Sequence, residues 1–159
     1  MNGLIMKSSW IDRILAGQKT WELKGLPTKL RGRVALIRAR TGRIVGTCEI
    51  VDCVGPLTLE QVQANVEKHG TPLEAVGQLA FAKTYAWVLA NAKSLAEPIE
   101  LTDCRGGTWV RLTAENVGAR FGELEGGGDV VEQPKVKVTV CCPQASPACA
   151  VAPVADAKV

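Results

Sequence analysis

Leu15-Ala16-Gly17-Gln18-Lys19-Thr20-Trp21-Glu22-Leu23-Lys24 is the stretch where the hydrophobic period of the chain changes. Upstream of it, Trp10, Ile11, Ile14 and Leu15 recur at helical spacing and form one apolar stripe. Ser8 or Ser9 offers a hydroxyl that can accept from an unpaired amide of the first turn, and Asp12 complements the positive end of the helix dipole. Gly17 then supplies the stop, because a left-handed residue costs glycine little. From Lys19 the period is two: Trp21 and Leu23 alternate with Thr20, Glu22 and Lys24, giving a strand with one apolar and one polar face. A short amphipathic helix therefore runs directly into a strand.

On either side the same reasoning gives more short strands. Residues 3–7 read as a strand before the helix. Residues 34–40 and 44–51 are rich in β-branched types and are joined by Thr41-Gly42, a hairpin signal. Residues 58–68 look helical and end at Gly70, and a second helical piece, 73–81, follows Thr71-Pro72. Residues 85–89 and 92–101 return to strand composition, with Pro98 marking an edge or the end of pairing. Arg105-Gly106-Gly107 turns into a last strand at 108–112, and 113–121 reads as a terminal helix. Regular βαβ alternation is missing, so the pattern predicts an α+β fold. The expected architecture is a closed or nearly closed β-barrel of about five to six strands. A short helix after the first strand plugs or flanks one end, and helical insertions interrupt the later strands. Residues 1–125 form this domain. Gly126-Gly127-Gly128 opens a Gly/Ala/Val/Pro-rich appendage, 126–159, expected to be flexible although 135–141 alternates like a strand.

Composition narrows the function classes. The 159 residues are 47% hydrophobic, enough for a core, and no apolar run nears the roughly 20 residues of a membrane-spanning helix. The N-terminus shows no secretory pattern, so a cytoplasmic monomer with reduced thiols is expected, without membrane contact. Cys48, Cys53, Cys104, Cys141, Cys142 and Cys149 make no paired C-x-x-C knuckles, and His69 is the sole histidine. Neither a metal nor a cofactor is expected, and His69, before Gly70 at a helix end, is given no catalytic role. The net charge of +3 conceals an asymmetry: residues 1–48 hold ten Lys or Arg against Asp12 and Glu22, a local +8, leaving −5 for the rest. Such a block attracts polyanions if it is gathered on one surface, and merely solvates the barrel if it is scattered.

The quoted stretch resembles the Gly-x-Lys-x-x-Glu-x-Arg signature of the ASCH domain family, a PUA-like β-barrel family. Gly17, Lys19 and Glu22 match; Lys24 stands where the family prefers arginine, keeping charge but losing the planar fork. Lys7-Ser8-Ser9-Trp10, the glycine-containing run from Ile44 to Cys53, and Tyr85-Ala86-Trp87-Val88-Leu89 with Pro98-Ile99 and Trp109 resemble further family segments in order. Together they cover about residues 3–113. The resemblance implies a basic cleft for RNA, single-stranded nucleic acid or a modified nucleotide.

In that cleft the lysines would answer phosphate, and the Glu22 carboxylate would accept from a base amino group. The candidate ligand-binding residues are Lys7, Ser9, Trp10, Lys19, Glu22, Lys24, Arg105 and Trp109. Trp10 and Trp109 are candidates for a cleft wall, while Trp21 and Trp87 are expected to pack inward. The resemblance also implies a hydrolase alternative, either an amidohydrolase on acylated nucleosides or a ribonuclease, with Lys19 as base and Thr20 and Glu22 as the other catalytic candidates. The amidohydrolase members place a threonine three residues after the lysine, where this chain has Glu22; Glu67 and Glu74 are both conceivable for their later glutamate. A third reading makes the domain a protein-interaction module with the appendage as docking segment. Lys19 and Glu22 are read here as surface residues, so that Lys19→Ala should leave melting nearly unchanged.

Overall fold

A computed structural model describes residues 1–79, 81–102 and 107–125. The turn expected at Arg105-Gly106-Gly107 falls in part, and the appendage expected at 126–159 wholly, outside the described residues. Six strands form one sheet: β1 (Asn2–Met6), β2 (Trp21–Lys24), β3 (Gly32–Arg38), β4 (Arg43–Leu57), β5 (Thr84–Glu100) and β6 (Trp109–Arg111). Their order is β2-β5-β4-β3-β1-β6, a mixed sheet curved into a half-barrel and not closed on itself. All pairings are antiparallel but one: β1 runs parallel to β3, with Leu4 opposite Leu36. The crossover that makes this parallel pair carries α1 (Ser8–Leu15) and β2.

The curvature has a local cause. β4 and β5 are 15 and 17 residues long, and their pairing shifts register at four points. Each shift inserts unmatched residues, which bends and twists the ribbon. The two segments read as separate strands at 85–89 and 92–101 are thus one bent strand, with Asn91 at φ 50° and Pro98 inside it. The β3–β4 hairpin lies where expected, its reversal supplied by Arg40 and Gly42 at positive φ.

Both faces of the central strands are covered, which explains why β3 reads as the continuous apolar run Val34-Ala35-Leu36-Ile37 and not as alternation. Val34 and Leu36 meet Leu4, Met6, Cys48, Ile50, Trp87 and Leu89 on one face, closed by Ile11 and Ile14 of α1. Ala35 and Ile37 join Ile44, Ile99, Val110 and Leu112 on the other, closed by Val117 of α5 (Ala114–Val117) and Leu124 of α6 (Phe121–Glu125). The helix expected at 113–121 is therefore split, with Gly118 at φ 76° and a 3-10 turn between its halves. Gly46 is where α1 presses hardest on the sheet. A Cβ there would stand 2.5 Å from the Lys93 carbonyl oxygen and 2.7 Å from Leu15 Cδ2.

Three corrections concern helix ends. Lys7, not Ser8 or Ser9, is the N-cap of α1, no side chain caps it, and Asp12 lies beyond the first turn, paired with Arg38 at 2.6 Å. The chain leaves β1 at Met6 and turns directly into the helix, so the serines fall inside it. The helix expected at 58–68 is two pieces, α2 (Leu59–Gln63) and α3 (Val66–His69). Asn65 breaks them, its side-chain amide donating back to the Gln61 carbonyl. The piece expected at 73–81 is only α4 (Leu73–Val76), ending at Gly77. These helices cover Trp21, Leu23, Ala86 and Val88 through Val62 and Val76.

Candidate functional site

Lys19 follows a helix stop that fixes where it points. At the end of α1, the Gly17 amide donates to the Ile14 carbonyl and the Gln18 amide to that of Arg13, with Gly17 at φ 71°: the two-bond glycine stop expected from the sequence. The chain then doubles back, and the Lys19 side chain goes inward. It is only 3% exposed. Its Nζ donates to the Trp21 carbonyl at 2.7 Å and the His69 carbonyl at 2.8 Å, stands 3.2 Å from Glu22 Oε2, and lies 4.8 Å from the centre of the Trp10 ring. This corrects the surface reading. Lys19 anchors the fold, because all three ammonium hydrogens have acceptors. Burial lowers the Lys19 pKa, with the Glu22 carboxylate acting against that shift.

Glu22 is also buried, for a reason of register. It lies directly opposite Trp87 in the β2–β5 pair, on the face turned to Trp87, while Trp21 and Leu23 face α2 and α4. The polar face of β2 thus points along the inner core and not into solvent. Glu22 Oε1 stands 3.1 Å from Lys24 Nζ, so one carboxylate bridges two ammonium groups. Lys24 keeps 23% of its side chain exposed and sits 5.8 Å from the Trp87 ring centre. Trp87 stacks on Trp109 with centroids 5.4 Å apart and planes 18° from parallel, and its indole N–H donates to the Leu26 carbonyl at 3.0 Å. Trp21 and Trp87 are buried as expected, whereas Trp10 and Trp109 are half-buried.

The structure therefore links Trp10, Lys19, Glu22, Lys24, Trp87 and Trp109 through a chain of side-chain contacts beside the edge strand β2, the rim of the half-barrel. Lys7 and Ser9 are exposed at the N-terminal end of α1, the end that also carries Trp10. Thr20 spends its backbone on pairing, its amide donating to Lys68 and its carbonyl accepting from Leu89. Glu67 and Glu74 are exposed on α3 and α4. The remaining cations of the basic block are dispersed and largely engaged. Arg31 pairs with Asp52, Arg38 with Asp12 and Arg43 with Glu100, while Arg13 and Arg33 donate to the carbonyls of Gly70 and Glu125. Lys7, Lys29 and Arg40 have no ion-pair partner among the described residues.

Sequence reasoning missed two participants. Cys48 is fully buried on the same inner face, and burial pushes its thiol up to about 12, with Glu49 and Glu22 adding to the shift. His69 holds Lys19 through its carbonyl. Its sequence signal, a lone polar ring before a helix-ending glycine, spoke only of a helix terminus.

A mixed half-barrel with α1 packed on its core and a lysine–glutamate–lysine bridge at its β2 edge defines the class. The ASCH domain family model matches residues 4–106, and the chain belongs to that family, which is associated with RNA binding. A crystal structure of an ASCH point variant from Zymomonas mobilis superposes with a TM-score of 0.60 at 15% identity, covering 72% of this chain and 89% of that one. The ASCH crystal structure from Zymomonas mobilis superposes at 0.58 and 14% identity, covering 72% and 88%. These similarities carry the PUA-like α+β fold. No curated protein matches the chain. Among the described residues, no helix is long and apolar enough to cross a membrane.

Proposed function

We propose that this domain binds RNA or a nucleotide-like ligand at the rim formed by Glu22, Lys24, Trp10 and Trp109. The observation that carries this reading is the Glu22 carboxylate held between two ammonium groups beside a pair of stacked indoles. Burying the Lys19 and Glu22 charges costs more than an apolar cluster of similar volume, so stability alone gives no reason for the arrangement. A preorganised site does: each Glu22 oxygen retains a lone pair for a base amino group, Lys24 has hydrogens left for phosphate, and the half-buried indoles offer ring faces for stacking.

The hydrolase reading retains one observation in its favour, the depressed pKa of Lys19. Against it stand the three acceptors around Nζ and Glu22 where the amidohydrolase members carry threonine. Titration of short single-stranded RNAs and nucleosides, followed by tryptophan fluorescence, tests the binding reading. Lys24→Ala should weaken RNA binding and make its salt dependence shallower, each lost phosphate contact removing about 0.7 from the slope of log affinity on log salt. Glu22→Gln should change the preference among bases. Binding equal to the parent in both variants overturns the assignment, and turnover of acylated nucleosides or RNA that depends on Lys19 favours the hydrolase.

A further inference from the structure

Three successive carbonyls at the end of α3 are caught by three groups from α1 and the α1–β2 junction. The Lys68 carbonyl accepts from the Thr20 amide at 2.8 Å, the His69 carbonyl from Lys19 Nζ at 2.8 Å, and the Gly70 carbonyl from Arg13 Nη1 at 2.9 Å. What holds this turn in shape is the His69 ring, which is completely buried. Its Nδ1 lies 3.0 Å from the Thr71 amide, which can only donate, so Nδ1 carries the lone pair. The ring proton is then on Nε2, donated to the Val62 carbonyl of α2 at 2.9 Å. Both ring nitrogens are used, each in the one sense that a neutral imidazole allows.

We propose that His69 is a positioning residue for the rim site: its neutral ring locks the end of α3 onto the Lys19 ammonium, and a proton taken up in acid opens that lock. The second proton would sit on Nδ1, pointing at the Thr71 N–H, donor against donor. The charges around the ring oppose it as well. Lys19 from the α1–β2 junction and Arg13 from α1 face the turn, Lys68 is on the same helix, and α2 offers only the Val62 carbonyl. Among these charges Glu67 alone favours the protonated ring, besides the Val62 hydrogen bond, and it is exposed. Burial, partly offset by the Val62 hydrogen bond, lowers the His69 pKa below its ordinary 6.5. The lock is therefore closed at neutral pH and opens below that value. Opening withdraws the carbonyl that orients Lys19, and with it the arrangement of Lys19, Glu22 and the Trp10 ring. The consequence for ligand binding rests on the function proposed above; the lock itself does not.

His69 is the only histidine, so one imidazole signal in NMR reports it without ambiguity. In the ligand-free protein we expect the Nε2–H tautomer at neutral pH, titration below 6.5, and movement of the Trp10 ring resonances with the same midpoint. His69→Asn offers an oxygen to the Thr71 amide and cannot titrate, so the acid shift of Trp10 should vanish in it. His69 titrating at or above 6.5, titrating without any change at Trp10, or a Trp10 shift that persists in His69→Asn would each overturn the lock. The first two need no variant to fold. With single-stranded RNA as probe, binding should weaken about tenfold one pH unit below the His69 midpoint, as the competent fraction falls to about a tenth. An RNA pH profile that is the same in parent and His69→Asn refutes the positioning role while leaving RNA binding standing. A Trp10-coupled titration with no RNA binding at any pH refutes the proposed ligand and leaves the lock intact.

Discussion

Lys19–Glu22 and Arg43–Glu100 are the same chemistry in opposite surroundings. The first pair has side-chain exposures of 3% and 11% at 3.2 Å; the second, flanking the β3–β4 hairpin, has 54% and 73% at 2.6 Å. Distance alone would rank the hairpin pair higher. Burial reverses the order, because water screens the exposed charges and supplies replacement hydrogen bonds, while nothing replaces a partner lost from the interior. Of the ten cations in the basic block, Arg31, Arg38 and Arg43 follow the hairpin pattern, and only the Lys19–Lys24 segment follows the other. The +8 of residues 1–48 is therefore not one patch. It is divided among three exposed pairs, one buried bridge, and cations that meet backbone carbonyls or no acidic partner among the described residues.

Lys19→Ala should break this contrast most severely. It removes the donor to two backbone carbonyls and to Glu22 Oε2, leaving buried acceptors with no water to turn to. Breaking a buried pair in this way costs about 3–5 kcal/mol. Chemical denaturation of parent and variant measures it. A loss below about 0.5 kcal/mol would mean that Lys19 lies at the surface after all.

The inward turn of Lys19 was hidden for a physical reason. Lysine is almost never fully buried, and alternation in β2 separates polar from apolar side chains without saying which face meets water. Here both faces are covered, Trp21 and Leu23 by the 58–76 helices and Glu22 by Trp87 and α1. What was legible were the features decided locally: the Gly17 stop, the change of period at Lys19, the Thr41-Gly42 reversal, and the inward Trp21 and Trp87. Gly77 and Gly118, which end α4 and α5, are equally local signals, but the apolar spacing continues past each and points to longer helices than form. The half-barrel's open edge, the parallel β1–β3 pair and the turn that brings the His69 carbonyl to Lys19 depend on residues far apart in sequence, where periodicity is silent. Family resemblance singles out residues 15–24 and is silent on how deeply Lys19 and Glu22 are buried.

Alkaline titration sharpens the comparison, with a smaller effect. The Lys19 pKa is lowered in the folded protein, chiefly by burial. Between that lowered value and the ordinary 10.5, the unfolded chain binds more protons than the native state, so this group makes stability rise with pH. Its cost is fully present at neutral pH and is relieved as pH climbs toward 10.5. One proton allows a slope of at most about 1.4 kcal/mol per pH unit. Lys19→Met should lose this rise relative to the parent when unfolding free energies are compared across pH 8 to about 10.5. Equal pH dependence in the two proteins would place the Lys19 ammonium in water.

Arg43→Ala should have the smallest effect, and its smallness is the point. Arg43 donates to Glu100 through both Nε and Nη2, at 3.1 and 2.6 Å, which is good geometry for an ion pair. Both side chains are more than half exposed, however, so the guanidinium and carboxylate exchange each other for water at little net cost. Exposed pairs of this kind contribute about 0–1 kcal/mol. The backbone register at this position does not depend on the pair: Ile44 opposite Ile99, both buried, fixes the strands one step along. Denaturant midpoints for Arg43→Ala and Glu100→Ala, with the double variant closing the cycle, should show a coupling within that range that shrinks further as salt is added. A coupling as large as the loss in Lys19→Ala would mean that geometry, and not burial, sets the worth of charges in this fold.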